Sequence, residues 1–145
     1  MLARYGEGGI ERTRAFFAAR GLDYNPNPDV VPNSLGALRL AELARTHALH
    51  GALHERLMDA YWADARDIGD HDVLRELARE VGLPDDEVDD VLAGDQFGDL
   101  VRESTVQATA IGVNGVPAFL LDRRLLVLGA QPDVVFEQAF EQLEA

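Results

Sequence analysis

The spacing of the apolar residues constrains this chain most, because it changes once along the sequence. From Leu35 to Ile111 apolar side chains recur every three or four residues, which is the period of a helix with one buried face. Two continuous apolar runs then follow, Val116–Leu121 and Leu125–Leu128. Such runs are typical of strands that are buried on both faces. The chain is therefore predicted to be mostly helical, with a β-hairpin near its C-terminal end.

Capping and breaking residues divide the helical part. A first helix is predicted over Ile10–Gly21, followed by a proline-rich connector over residues 23–29 that favours turns. Asn33 or Ser34 is predicted to cap the second helix, which we expect to end near His50–Gly51. Further helices are predicted to begin after Asp70, Pro84, Asp95 and Pro132.

Charge excludes some partners. The 145 residues include 26 acidic and 13 basic ones, for a net charge of −13. Such a surface repels phosphate backbones and anionic lipids, so neither a nucleic-acid nor a membrane partner is expected. No apolar run approaches the roughly 20 residues that span a bilayer, and the first residues form no signal region, so the cytoplasm is the default compartment.

Missing residue types exclude some chemistry. The sequence contains no cysteine, so no disulfide, thiolate nucleophile or cysteine metal site exists within it. It also contains no lysine, which removes Schiff-base chemistry and a P-loop lysine. Ser34, Ser104 and His71 suggest no catalytic triad, because no nucleophile elbow accompanies them. We predict no catalytic residue in this chain.

Two other clusters have simple interpretations. His47, His50 and His54 have the spacing of metal ligands on one helical face, but Gly51 is expected to break the helix and no carboxylate completes a set. The acidic run Asp85–Asp90 lacks the alternating acids and the glycine of a calcium loop. No metal site is predicted.

Aromatic residues stand together at Tyr61 and Trp62. They either line a pocket or pack within the helical core, and packing is the favoured interpretation.

Pro117 opens the first predicted strand after a glycine-bearing turn, Gly112–Gly115. Proline cannot donate to a sheet ladder, so the start of a strand is one of few positions that tolerate it. Bonds that precede proline are also those in which a cis peptide is energetically accessible. The pattern alone favours an ordinary trans proline and leaves the cis form open.

The stretch Ala110–Asp122, with Leu128–Phe136 after it, resembles the C-terminal signature of the DsbA-like thioredoxin-fold proteins. The best match is their FrnE-type branch, which is related to the glutathione-dependent 2-hydroxychromene-2-carboxylate isomerases. The segments Pro32–Leu40, Leu53–Trp62 and Asp67–Asp70 carry the likeness into the helical part. The resemblance implies an α/β thioredoxin-like fold with a helical insert.

The resemblance also implies a division of the chain and a binding site. Residues 1–32 would form an N-terminal helix and connector, residues 33–112 the insert, and residues 113–145 the C-terminal β-β-α part. Pro117 matches the family's cis-proline beside the redox site, and Val116 would present its backbone to a bound peptide or thiol substrate. Asn33 would touch substrate as in the glutathione-using relatives, although helix capping explains this residue equally well.

One departure from the family concerns its N-terminal part, which carries a strand, a Cys-x-x-Cys motif and a second strand. This chain has no cysteine and no such elements before Tyr5. We therefore expect a truncated thiol–disulfide oxidoreductase family member, incomplete at its N-terminus and redox-inactive alone, since exchange needs an attacking sulfur. The alternatives are a non-catalytic dimerising peptide-binding module, a glutathione-dependent isomerase-like protein with glutathione as its thiol, and a remnant without function.

Without the N-terminal strands of the family, the two predicted strands would form only half of a sheet. A lone hairpin is marginally stable in water, and an apolar edge strand invites pairing. We therefore expect a homodimer formed through the hairpin edge, or completion of the sheet by a missing N-terminal segment.

Overall fold

A computed structural model describes residues 2–25 and 30–144 of the chain. This part contains seven helices and two strands, which confirms a mostly helical chain with a C-terminal hairpin. The elements are α1 (Leu2–Ala18), α2 (Leu35–Thr46), α3 (His50–Trp62), α4 (His71–Glu80), α5 (Asp85–Ala93), α6 (Gly98–Ala110), β1 (Ala118–Leu121), β2 (Leu125–Leu128) and α7 (Asp133–Glu144). The chain divides into two compact units, here named the helical unit (Met1–Val101) and the hairpin unit (Arg102–Ala145).

The core of the helical unit lies among α2, α3, α4 and α5. Each of these helices contributes side chains at helical spacing, so one face of each is apolar and buried. The most completely buried large side chains are Leu40, Leu53, Leu74, Leu77, Val88 and Val91. Burial of one such side chain contributes roughly 1.5–3 kcal/mol to folding.

Arg39 is a buried cation in this unit, with 7% of its surface exposed. Its Nε donates to the backbone oxygen of Gln96 at 2.7 Å, and its Nη2 donates to those of Val91 and Gly94. These carbonyls lie in and after the last turn of α5, where helical carbonyls lack partners within the helix. A positive charge is also favourable at a helix C-terminus. Arg39 therefore ties α2 to the end of α5.

The boundary between α2 and α3 differs from the sequence-based prediction. The break lies at Ala48, whose φ of 58° is left-handed, and the Leu49 N–H donates to the Ala44 oxygen at 2.8 Å. Gly51, which was expected to break the helix, lies in the first turn of α3. That prediction was wrong because Leu49 packs against the core, and this packing directs the turn.

The ends of other helices differ from the predictions in one case and confirm them in another. The first helix begins at Leu2 rather than Ile10, and Gly21, with a φ of 68°, follows its end. The prediction for Asp70 is confirmed, because its side chain accepts from the Asp72 N–H at 2.8 Å. Part of the proline-rich connector, residues 26–29, lies outside the described residues.

In the hairpin unit β1 pairs with β2 in antiparallel register, with Ala118 opposite Leu128 and Leu121 opposite Leu125. The turn between them places Asp122 and Arg123 at φ values of 47° and 55°. Two successive left-handed residues are typical of a type I′ turn, and the Arg124 N–H donates to the Leu121 oxygen at 3.0 Å, so the turn lies within a loop of three residues. The predicted hairpin is confirmed, although its first strand begins at Ala118 rather than Val116.

The expectation that both hairpin faces are buried was wrong. One face packs on α7, where the rings of Phe119 and Phe136 meet edge to face at 5.0 Å, Val127 is buried and Phe119 keeps 39% of its surface exposed. On the other face Leu120 is 45% exposed and Leu128 is 37% exposed. Burial on both faces needs a layer on each side, and within the described part of the hairpin unit α7 covers one.

Candidate functional site

The approach to Pro117 is shaped by the end of α6. The Gly112 N–H donates to the Thr109 oxygen at 3.0 Å, and the Val113 N–H donates to the Ala108 oxygen at 3.0 Å. Gly112 has a φ of 96°, a conformation that glycine adopts without a steric penalty. The helix therefore ends in a tight cap, and the chain turns into the segment that leads to β1.

The Val116–Pro117 peptide bond is cis. The Pro117 oxygen accepts from the Gly129 N–H at 2.8 Å, which joins this point to the residue after β2. Val116 is 93% exposed, and its backbone N–H and carbonyl hydrogen-bond none of the described residues. An open pair of backbone groups therefore lies beside the start of β1.

The chemistry that this segment can perform is limited by its residue types. Residues 110–121 contain no acidic, basic, sulfur-bearing or hydroxyl side chain. The segment therefore offers backbone hydrogen bonds and apolar contacts, but no general acid or base, no nucleophile and no metal ligand. It has the means to bind an extended peptide and lacks a reacting atom.

Asn33 lies in the helical unit, whereas Val116 and Pro117 lie in the hairpin unit. The Asn33 Oδ1 accepts from the Leu35 N–H at 3.1 Å, so the side chain caps the first turn of α2. The alternative cap, Ser34, makes no such bond. A Cβ on Gly69 would come within 2.9 Å of the Asn33 backbone nitrogen, so the loop before α4 packs closely against Asn33.

The three histidines are divided between two places. His47 follows the end of α2, and its Nε2 lies 3.0 Å from an oxygen of Glu87. His50 and His54 stack in α3 with ring centroids 6.1 Å apart, and His50 contacts Arg45. No cluster of potential metal ligands is found among the described residues.

Tyr61 and Trp62 belong to an aromatic cluster, as the favoured interpretation predicts. The Trp62 ring lies 4.6 Å from Tyr61, 5.8 Å from Tyr24 and 6.1 Å from Phe17. Trp62 also lines a cavity, so packing and pocket lining coexist in one residue. The sequence did not indicate that Phe17 contacts Trp62, because the two residues are far apart along the chain.

Comparison with known proteins bears on these features. A model of the DSBA-like thioredoxin domain matches residues 9–141. This chain belongs to the DsbA-like thioredoxin domain family. No curated protein matches it.

A DsbA-like relative of known structure is a probable DsbA oxidoreductase from Streptomyces coelicolor. It is 36% identical, and the two structures superimpose with a TM-score of 0.85. The match covers 97% of the DsbA-like chain but 64% of the Streptomyces protein.

The family and the fold that the sequence predicts are thereby confirmed for this DsbA-like chain. The FrnE-type branch, the use of glutathione and the binding roles of Val116, Pro117 and Asn33 stay predictions. In the described residues no helix has both the length and the apolar character that crossing a membrane requires.

Proposed function

We propose that this chain is the peptide-binding part of a DsbA-like thiol–disulfide oxidoreductase, and that the reacting sulfurs come from outside its 145 residues. The observation that carries the proposal is the unpaired Val116 backbone beside β1. An extended peptide gains main-chain hydrogen bonds when it lies against such a strand edge. The family membership and the likeness to the Streptomyces protein support it.

Peptide binding and disulfide exchange require different chemical groups. In thiol–disulfide exchange a thiolate attacks one sulfur of a disulfide, forms a new S–S bond and expels the other sulfur as a thiolate. Arginine, aspartate and glutamate side chains cannot replace the attacking sulfur. The 145 residues alone therefore bind a peptide without exchanging its disulfides.

An insulin-reduction assay tests the reaction half of the proposal. With the chain present, precipitation of the insulin B chain should begin at the same time as with dithiothreitol alone. An earlier onset would contradict the expected lack of redox activity.

A pair of matched variants tests the binding half. Leu120 in β1 and Leu128 in β2 lie on the same hairpin face and are similarly exposed. A charge on an edge strand opposes pairing with a further strand. Leu120→Lys should weaken the binding of a fluorescein-labelled, cysteine-blocked insulin B chain about fivefold, a change of about 1 kcal/mol. Leu128→Lys should change the anisotropy titration less, and equal effects would exclude β1 as the binding edge.

Self-association follows from the same open edge. β1 pairs with β2 on one side, and no other described strand pairs with it. We propose that a second copy of the chain covers the open edge when nothing else occupies it. Sedimentation equilibrium should show a dimer that Leu120→Lys weakens, and a monomer at all concentrations would contradict this part of the proposal.

A further inference from the structure

A cavity of about 590 Å³ opens in the helical unit beside the end of α1 and the last turns of α3. Its volume lies in the range of roughly 300–1,000 Å³ that is common for small-molecule sites. The cavity belongs to the helical unit and includes none of the residues predicted to bind the peptide.

One wall of the cavity is aromatic. Phe17 and Trp62 line it, with an angle of 42° between their ring planes. Tyr24 stacks on Trp62, and the Asn25 N–H donates to the Trp62 oxygen at 2.5 Å. The ring contact packs one face of the indole, and the backbone bond joins the segment after α1 to the end of α3.

The charged residues of the lining are mostly acidic. The lining contains three carboxylates, those of Asp23, Asp59 and Asp64, and one cation, Arg56. Arg56 is already paired, because its Nη1 lies 3.0 Å from Asp64 and its Nε bonds to Glu80. The hydrogen bond to Glu80, with that to Asp64, raises the pKa of Arg56 above its ordinary value. Arg56 is thus held as a cation whose charge these two carboxylates offset.

The two remaining carboxylates, those of Asp23 and Asp59, form no ion pair with any described residue. The lining therefore combines these two carboxylates with an indole and a phenyl ring. A small anion is disfavoured here by the lining and by the net charge of −13.

We propose that this cavity binds an organic cation, a quaternary ammonium or guanidinium group with an apolar body. Indole, the side chain of Trp62, is the aromatic group that attracts cations most strongly, and Asp59 and Asp23 add Coulomb attraction. Met58 and Phe17 contact the apolar body. The site is independent of the peptide-binding function proposed above.

Trp62 provides the measurement, because it is the one tryptophan in the chain. Choline and its uncharged carbon isostere, dimethylbutanol, are titrated at constant ionic strength while the indole fluorescence is followed. Choline should bind at least about fivefold more tightly than the isostere. Equal affinities for choline and dimethylbutanol would overturn the proposal. So would the absence of a fluorescence change with choline, with dimethylbutanol and with the arginine derivative described next.

A second pair of probes distinguishes a free ammonium from a protein side chain as the source of the cation. N-acetylarginine amide carries a guanidinium group, and N-acetylcitrulline amide is its uncharged counterpart. Tighter binding of the arginine derivative than of choline supports the site as a receptor for a basic residue of a polypeptide. The reverse order supports it as a site for a small quaternary amine.

Two charge-neutralising variants separate the site from the general charge of the protein. Asp59→Asn removes an exposed carboxylate of the lining and should weaken choline binding about fivefold. Asp90→Asn removes the same charge from the exposed surface of α5, outside the cavity, and should leave the affinity unchanged. Far-ultraviolet circular dichroism verifies that both variants fold. Equal affinities of the two variants for choline would overturn the proposal.

Discussion

The helical unit and the hairpin unit differ in how they use their apolar residues. The buried core cluster consists of residues between Ala37 and Leu92, all in the helical unit. In the hairpin unit Val127 and Ala139 are the buried apolar residues of the described part. Its exposed large apolar residues include Val106, Val116, Leu120, Val134 and Phe140.

The difference shows how the two units obtain stability. Four helices with one apolar face each enclose a core among themselves, and the exposed large apolar residues of the helical unit, such as Phe16, Leu22 and Val31, lie outside that core. A two-stranded hairpin with one helix has a second face and two strand edges that its own elements do not cover. Exposed apolar surface marks a binding site where it forms one contiguous patch of roughly several hundred Å².

The largest expected effect is the loss of a core side chain. Leu77 is fully buried, so Leu77→Ala leaves a cavity and should lower the free energy of unfolding by about 3 kcal/mol. Phe140 is 53% exposed, and Phe140→Ala should lower it by less than about 1 kcal/mol. Urea unfolding followed by circular dichroism measures both. Equal losses would show that the hairpin unit is packed as tightly as the helical unit.

Arg39 is expected to have the next largest effect. Arg39→Met removes the donors to the carbonyls of Val91, Gly94 and Gln96, and should lower the free energy of unfolding by about 2–3 kcal/mol. Arg45→Met, on the same helix, removes an exposed ion pair with Glu42 and should cost less than about 1 kcal/mol. A loss no larger than the control's would mean that water satisfies these carbonyls.

A change in the hairpin turn should stabilise the hairpin unit. Arg123 has a left-handed φ of 55°, which carries a penalty for a residue with a Cβ, so Arg123→Gly should stabilise the hairpin by about 1 kcal/mol. Hydrogen exchange of the β1 and β2 amides should slow about fivefold. Arg124→Gly is the control, because Arg124 lacks a left-handed φ and its Nη1 donates to the Leu143 oxygen. If exchange slowed in Arg124→Gly and not in Arg123→Gly, the left-handed φ of Arg123 would not limit the stability of the hairpin.

The smallest expected effect distinguishes the two interpretations of Asn33. Asn33→Ala removes the bond to the Leu35 N–H and should lower the free energy of unfolding by about 1 kcal/mol or less. Asn33→Asp retains a capping oxygen and should restore stability in thermal unfolding. If Asn33 acts as a cap alone, the Asp variant also binds the labelled peptide as the parent chain does. Weaker peptide binding by a variant of unchanged stability would instead indicate contact with substrate.

Much of the fold could be predicted because it depends on local patterns. The cap at Asp70 and the β-hairpin follow from residue types at short spacing, and the structure confirms both. The break at Ala48 could not be predicted, because no local feature of alanine favours a left-handed turn. It depends on the packing of Leu49 against helices elsewhere in the chain.

The candidate sites show the same division. Pro117 and Val116 could be predicted as candidate residues from sequence because a short motif contains them, whereas the cavity beside Trp62 could not. Its walls combine Phe17, Asp23 and Asp59, which come together when the end of α1 lies beside α3. No spacing rule connects residues that meet across a helix pair.

Sequence alone determined the helical period, the change to two strands and the absence of cysteine, since each depends on residue identity and near neighbours. Tertiary structure alone decided which hairpin face is covered, where the helices break and which aromatic and acidic side chains share a cavity. Those outcomes depend on contacts between distant residues, and such contacts form through packing of the whole unit rather than through any local preference.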